Sequence, residues 1–436
     1  MHYRVSHLQP RVQGITWVVV GSLVFTMLLA LIGFMRIAPA LFFIPDSYDF
    51  AAYYVAARAV RLGLPLYSDQ SMVQAAATAG TIPFPKYVYP PFFAVALQPL
   101  AALSFTQAKM LWFVGNIVML GATLLMIGRA LHWSGWAVGL VSVATILLPP
   151  FYDTLLLGQV SVLMLFLVAS ALVTSLSPRP ISQSIAGVAL GLAISIKLYP
   201  ICLLLPFLFY RRYLLAVVTG FTMLVMLAIG TLTHNGLQTT TDFFFHILPA
   251  IGGVSPLPVN QSVWSVFLRF FTPTSFQYAF LTTDNLQTLA LEPLINLPFA
   301  ATLGSTLATI GIWSGTLWGI KHASKQVPLH RTFHSISLII TALLATSPVT
   351  HDHYATLLFI PLTYLGYCAT QNNTLTRRYR QLGIIGVCLC LVVQRYWRVM
   401  LSITPSALAT CFGLLAILLT WVLLLTEPIQ DTVTAE

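Results

Sequence analysis

Apolar stretches of about 20 residues, the length needed to cross a bilayer, recur along this chain from residue 14 to residue 425. They read as spans near 14–35, 106–128, 135–150 and 159–176, and then as a broken pair at 185–197 and 198–210. Further spans follow near 212–232, 294–320, 333–348, 354–370, 382–396 and 405–425. Hydrophobic residues make up 58% of the chain and charged residues 7%. No soluble core hides that much apolar surface, so the pattern predicts an all-α polytopic membrane protein with about 11–13 transmembrane helices. The first stretch has the length of a span and no convincing cleavage motif after it, so it reads as a helix rather than a signal peptide. No repeat of 20–50 residues is present, and residues 1–436 read as one transmembrane domain. Segment 90–104 is short and proline-rich, which suits a re-entrant or interfacial segment.

The formal charge of +10 comes from 21 dispersed Lys and Arg residues with no sustained basic run. That distribution argues against nucleic acid and for positively charged inter-helix loops. The five cysteines lie in apolar segments, without metal-ligand spacing or a loop suited to a disulfide. With the N-terminus in the cytoplasm, the long loops 36–105 and 233–293 face outward. So do Asp46, Asp49, Asp69, Asp153, Asp242, Asp284, Glu292 and Asp352. Only 11 residues are acidic, and the other three lie in the C-terminal tail. In a chain this poor in charge, acids gathered on one face point to chemistry there.

Several constellations can carry it. Residues 49–63 read as a short amphipathic helix at the membrane interface, closed by Gly63. Asp46 suits its N-cap, while Asp49 sits with Tyr53 and Tyr54 at a pocket rim. Tyr87-Val88-Tyr89-Pro90-Pro91-Phe92 places Tyr89 where the chain re-enters, and Gly158-Gln159 follows an outer turn near 151–158. Lys197 breaks a hydrophobic segment, where a charge is costly and marks a partner or a ligand; a salt bridge to an outer Asp is the structural alternative. Arg395 and Arg398 lie at the outer end of a span, either snorkelling to headgroups or binding a phosphate. Asn260-Gln261-Ser262 lies in the second long loop. His351, Asp352 and His353 cap a helix pair, but their spacing suits hydrogen bonding to a hydroxylated or phosphorylated ligand better than metal binding. Neither a divalent metal nor any other cofactor is expected. Gly187 and Gly191 form a small-xxx-small packing face.

The order of motifs resembles glycosyltransferase family 87, the polyprenyl-phosphate-mannose-dependent mannosyltransferases of the GT-C superfamily. The resemblance rests on Asp49-x-x-x-Tyr53, Gly63-x-Pro65-Leu66-Tyr67, Tyr89-Pro90-Pro91, Gly158-Gln159, Gly187-x-x-x-Gly191 with Lys197 and Pro200, Asn260-Gln261-Ser262, and Ser347-Pro348 with Asp352-His353. It covers residues 14–370 and leaves the helices of 371–436 less family-like. It implies a GT-C-type membrane fold in the bacterial inner membrane, with the active site on the outer, periplasmic face. Asp49 would be the catalytic base, and His353 would contact sugar or phosphate. Where the family has an aromatic followed by Asp-His-His, this chain has His351 first and Tyr354 last, which bears on the acceptor side.

The chemistry implied is transfer of a hexose, mannose by the resemblance, from a polyprenyl-phosphate-sugar donor to a glycolipid or glycan hydroxyl. A carboxylate removes the acceptor proton, and direct displacement inverts the anomeric centre. The departing phosphate needs positive charge placed in advance, for which Lys197, Arg395, Arg398 and Arg58 are candidates. Two other readings compete. A secondary transporter or lipid flippase would show inverted repeats and a midplane site. An envelope polysaccharide polymerase or ligase would concentrate Arg and His in one large loop.

Overall fold

The computed structural model describes residues 20, 21, 23–32, 35, 48–81, 85–279, 286–371, 374–403 and 406–427. Asp46, Asp284 and the start of the first expected span lie outside these residues. After α1 (Leu23–Ile32) come α2 (Tyr48–Arg61), α3 (Asp69–Ala77) and α4 (Pro91–Ala96). A helical series follows: α5 (Phe105–Ala130), α6 (Gly135–Leu147), α7 (Pro149–Leu157), α8 (Ser161–Ser175), α9 (Pro180–Ile196), α10 (Leu204–Phe209) and α11 (Tyr213–Gly230). The second long loop holds α12 (Gly236–Asp242), α13 (Leu248–Ile251) and α14 (Val263–Phe271). The chain closes with α15 (Pro298–Ala323), α16 (Pro328–Thr346), α17 (Phe359–Gln371), α18 (Thr374–Gln394), α19 (Trp397–Ile403) and α20 (Phe412–Leu425).

Among the described residues, two helices, α5 and α11, are singly long and apolar enough to cross a membrane. The pair α6 and α7 is a third candidate, bent by 63° at its break. The bend falls at Leu148, where Pro149 and Pro150 remove the donors that would continue the ladder. Most of the stretch 151–158, expected as a turn, therefore belongs to helix α7, which Gly158 caps. The all-α expectation misses one element. An antiparallel hairpin, β1 (Thr274–Ala279) with β2 (Leu286–Leu291), pairs Thr274 with Leu291 and Ala279 with Leu286. Phe276 and Leu291 pack on Trp397 and Leu401 in a small core of their own.

α16 is the central post. Every residue from Thr332 to Thr346 is buried, so its Ser, Thr and His side chains face protein. Elsewhere in the bundle, α9 and α11 pack closely on each other. A Cβ on Gly187 would stand 2.7 Å from the Leu215 carbonyl, and one on Gly191 2.6 Å from Thr222 Cβ. The small-residue face is thus where two backbones approach. α2 is enclosed by protein: Phe50 to Ala57 and Ala59 are all buried. Its alanines let the neighbours close in, and Gly63 ends it with a positive φ of 67°.

Candidate active site

Asp49 and Tyr53 are one turn apart on α2 and share a face. The Tyr53 hydroxyl donates to Gln159 Oε1 at 3.0 Å and lies 3.0 Å from the Tyr89 hydroxyl. Tyr89 reaches the same Gln159 oxygen at 3.4 Å. Local structure fixes each partner. Gly158 ends α7 in the left-handed region at φ 68°, and its carbonyl accepts from Trp112 Nε1 at 2.8 Å, which turns Gln159 inward. The Tyr67 hydroxyl donates to the Tyr89 carbonyl at 2.8 Å and holds the approach to Pro90. The Gln159 side chain also bonds Asp49. α2 lies outside the membrane-spanning segments. Burial pushes the Asp49 carboxyl up to about 6, while the Gln159 hydrogen bond and the Lys197 charge act the other way.

Lys197 takes extended geometry where α9 ends and the turn Tyr199–Leu203 begins. Pro200 in that turn cannot continue the α9 ladder. The Lys197 Nζ sits 3.9 Å from the centroid of the Tyr354 ring and 5.6 Å from that of Tyr89. Tyr199 stacks on Tyr354 from the side, with centroids 6.0 Å apart. Among the described residues Lys197 has no carboxylate at ion-pair distance, so the salt bridge weighed for it is absent there. His353 packs edge-on against Tyr354 with centroids 4.8 Å apart, and 5.6 Å separate the His351 and His353 rings. Both imidazoles lie at the turn outside the spans. Burial, helped by the Lys197 charge, lowers His351 to about 4 and His353 well below its usual range. They are neutral hydrogen-bonding groups, not cations.

Asp49, Tyr53, Tyr89, Gln159, Lys197, His351 and His353 thus come together, and Tyr199 and Tyr354 join them. Other candidates are placed elsewhere. Arg58 points away from Asp49; it donates to the Ala101 carbonyl at 2.9 Å and lies 3.4 Å from Thr78 Oγ1, tying α2 to its neighbours. Arg395 pairs with Asp153 at 3.4 Å, and Arg398 lies beside it with its guanidinium 5.2 Å from the Trp397 ring centroid. Asp352 faces this arginine group, and its burial, then the neighbouring Asp153, raises its carboxyl well above the usual range. This is a second polar cluster, separate from Lys197.

Asn260 and Gln261, expected to line the pocket, are buried and serve the backbone. Asn260 Nδ2 donates to the Pro348 carbonyl at 2.8 Å, and its Oδ1 accepts from Thr350 N at 2.9 Å. Gln261 Nε2 donates to the Thr410 carbonyl at 3.0 Å, and its Oε1 accepts from Leu414 N at 3.0 Å. They hold the turn that carries His351 and His353. The hub of that framework is Arg269, fully buried, which donates to Leu257 O at 2.9 Å, Asn260 O at 3.2 Å and Thr410 Oγ1 at 2.9 Å. The sequence signal for it was a single charge inside an otherwise apolar helix. Among the described residues, no three His, Cys, Asp or Glu side chains group so as to hold a metal ion.

The geometry can therefore offer a carboxylate with a raised pKa, a ring of phenolic hydroxyls, and one cation set against aromatic faces. Comparisons with known proteins bear on what this serves. The chain is 27% identical over 340 residues to a polyprenol-phosphate-mannose-dependent alpha-(1-2)-phosphatidylinositol mannoside mannosyltransferase of Mycolicibacterium smegmatis, covering 71% of this chain and 68% of that one. A protein of the same description from Mycobacterium tuberculosis is 27% identical over 263 residues, 56% of this chain and 59% of its own length. A crystal structure of ArnT from Cupriavidus metallidurans bound to undecaprenyl phosphate aligns over 91% of this chain and 77% of that one, with TM-score 0.40 and 13% identity. The family model of glycosyltransferase family 87 matches residues 87–348, more than half of the sequence, and the chain belongs to that family.

Proposed function

We propose that this glycosyltransferase moves mannose from a polyprenyl-phosphate donor to a hydroxyl of a glycolipid or glycan acceptor, with Asp49 as general base. The donor follows from the names of its mycobacterial relatives, and the GT-C fold is what family membership implies. The site lies on the outer, periplasmic face of the bacterial inner membrane, with the N-terminus cytoplasmic. The observation that carries the reading is the meeting of Asp49 with Lys197, drawn from segments far apart in the chain, across the Tyr53–Gln159–Tyr89 network.

The acceptor oxygen attacks the anomeric carbon as the bond from that carbon to the phosphate oxygen breaks. The acceptor proton passes to Asp49, and polyprenyl phosphate leaves with the electron pair of the broken bond. Displacement in one step inverts the anomeric centre. A carboxyl near 6 is ionised at neutral pH yet basic enough to share the proton as the bond forms. Lys197 faces the charge developing on the leaving phosphate. Its position over Tyr354 restricts the ammonium before substrate arrives. The neutral His353 is placed to hydrogen-bond the sugar.

The test is transfer from polyprenyl-phosphate mannose to a membrane glycolipid by purified wild-type protein and Asp49→Asn. The variant is expected to lose about 10²–10⁴-fold in rate. Equal transfer by both proteins removes Asp49 from the mechanism, and no transfer from any polyprenyl-phosphate sugar by the wild type overturns the reading.

A further inference from the structure

An apolar groove of about 650 Å³ runs between α6 and α7 on one side and α17 and α18 on the other. No residue of the Asp49 and Lys197 site lines it, so sugar transfer leaves it unexplained. Local sequence accounts for the space. α6 packs on α5 and α7 and turns Ala137, Val141, Ala144 and Leu148 to the groove, at the i, i+4, i+7, i+11 spacing of one helical stripe. α17 contributes Gly366, where a Cβ would meet nothing within 4 Å. Ala144 is exposed, so the groove opens to the surroundings of α6, half of a candidate broken span. From Ser134 to Leu148 the α6 wall is about 21 Å long. One leaflet of a bilayer core is about 15 Å deep, so the acyl chain of a lipid from a single leaflet can lie along it.

The two ends of the groove differ in charge. Pro150 and Ala355, at one end, also border a small cavity lined by Asp153 and Asp352, and the Arg395 there is already paired with Asp153. A phosphate arriving at that end meets two acidic residues. The opposite end is formed by the last turn of α17 and the turn from α5 into α6. His132 takes the left-handed conformation there, φ 53°, and Trp133 N donates to the Gly128 carbonyl at 2.8 Å. Gly128 has no side chain to hold the Trp133 ring away from α5; a Cβ would stand 3.3 Å from Trp133 Cε3.

This turn joins exposed Arg129, in the last turn of α5, to the wall residues Trp133 and Ser134. On α18 the wall is Ile384, Cys388 and Leu391, and exposed Arg377 lies on the same helical stripe, two turns before Ile384. Among the described residues the acid near this end, Glu427, is paired with buried Arg380. The end therefore offers unneutralised positive charge, an indole and the hydrogen-bonding side chains of Ser134 and Gln371. A guanidinium matches phosphate oxygens, an indole suits the depth of lipid headgroups, and basic pockets between helices at the cytoplasmic side bind anionic lipid heads.

We propose that this groove is a binding site for an anionic phospholipid of the cytoplasmic leaflet, its acyl chain along α6 and its phosphodiester at the end marked by Arg129 and Arg377. A lipid acted on at the outer face would bring its phosphate to the other end, against Asp153 and Asp352, so the charge selects the inner-leaflet lipid. The site takes from the proposed function only the orientation of the chain.

The experiment uses full-length protein in phosphatidylcholine nanodiscs. These contain a small fraction of phosphatidylglycerol, or of phosphatidylcholine, carrying a photoreactive diazirine on the acyl chain close to the ester. Phosphatidylglycerol is expected to label peptides covering residues 131–137 or 366–371, and the choline lipid to label them at least about fivefold less. Arg129→Gln and Arg377→Gln should each lower labelling by phosphatidylglycerol about fivefold. Gly366→Trp and Val141→Trp, which fill the groove from opposite walls, should each lower it about tenfold. Gly311→Trp, at an exposed and open position on α15, should label as wild type does. Equal labelling by the two lipids, label confined to residues 149–151 or 355–359, or no labelling at all overturns the assignment. So does wild-type labelling by both arginine variants or by both groove-filling variants. Sugar transfer enters none of these readouts, so a failure of the mannosyltransferase reading would leave the lipid result standing.

Discussion

The ammonium of Lys197 stands 3.9 Å from the centroid of the Tyr354 ring, so a residue at the break after α9 is held by one that follows α16. An aromatic face attracts the cation without neutralising it, which leaves the charge for a ligand. Tyr354→Phe keeps the ring and should bind donor as wild type does. Tyr354→Leu removes it and should weaken donor binding by about 0.5–2 kcal/mol. Titration of donor into both variants checks this, and equal losses would assign the effect to the hydroxyl instead.

Removing the charge itself should act on turnover. Lys197→Met is expected to lower kcat by about 10²-fold or more, because the leaving phosphate then departs without its preplaced cation. Lys197→Arg should recover part of that rate. A kcat unchanged in Lys197→Met would place phosphate stabilisation elsewhere.

The rate should also report the ionisation of Asp49. Burial pushes its carboxyl up to about 6, so in the proposed role of general base kcat/KM should fall about tenfold per pH unit below that value. The Gln159 hydrogen bond lowers the Asp49 pKa. Gln159→Leu should therefore move the acid limb to higher pH, and a limb that stays in place would detach Gln159 from the base.

Linkage gives a stability consequence with the opposite sign to activity. The folded pKa of Asp49 is raised above its unfolded value, so this group's favourable contribution is present at low pH and lost as pH rises through about 6. At neutral pH its charge costs stability. Asp49→Asn should accordingly unfold at the same temperature as wild type or higher, whatever its rate of transfer. A lower Tm for Asp49→Asn would show that the carboxylate is structurally required.

The α9–α11 contact should be intolerant of volume. Gly191→Val places atoms within 2.6 Å of Thr222 and 2.9 Å of the Thr219 carbonyl, and forcing the helices apart should cost about 1–3 kcal/mol. Gly115→Ala, where a Cβ meets nothing within 4 Å, should instead be neutral or stabilise by about 0.5–1 kcal/mol. Thermal unfolding of the two variants distinguishes them.

Part of the site was legible from local pattern. Asp49 and Tyr53 share a helical face by spacing alone, and Lys197 stood out because a charge in an apolar segment is costly. The arginines were not legible in the same way. Arg58, Arg395 and Arg398 looked equivalent to Lys197 as phosphate partners, yet Arg58 binds a carbonyl and Arg395 binds Asp153. Whether a cation is spent internally depends on its neighbours in space. Asn260 and Gln261 illustrate the same limit. An amide in a long loop reads as a ligand contact, whereas burial makes these amides complete the hydrogen bonding of backbone that has no water to turn to.

By itself the sequence determined the solvent this chain is built for, the succession of helices and the breaks at Pro149 and Pro200, because hydropathy and proline act on the chain locally. It also marked Gly187 and Gly191 as a packing face, since helical periodicity is local too. Tertiary structure alone decided that α2 is enclosed, that Arg269 anchors the turn of His351 and His353, and that Lys197 is left facing tyrosines. Those outcomes depend on which groups share a low-dielectric space after packing, and no local pattern carries that information.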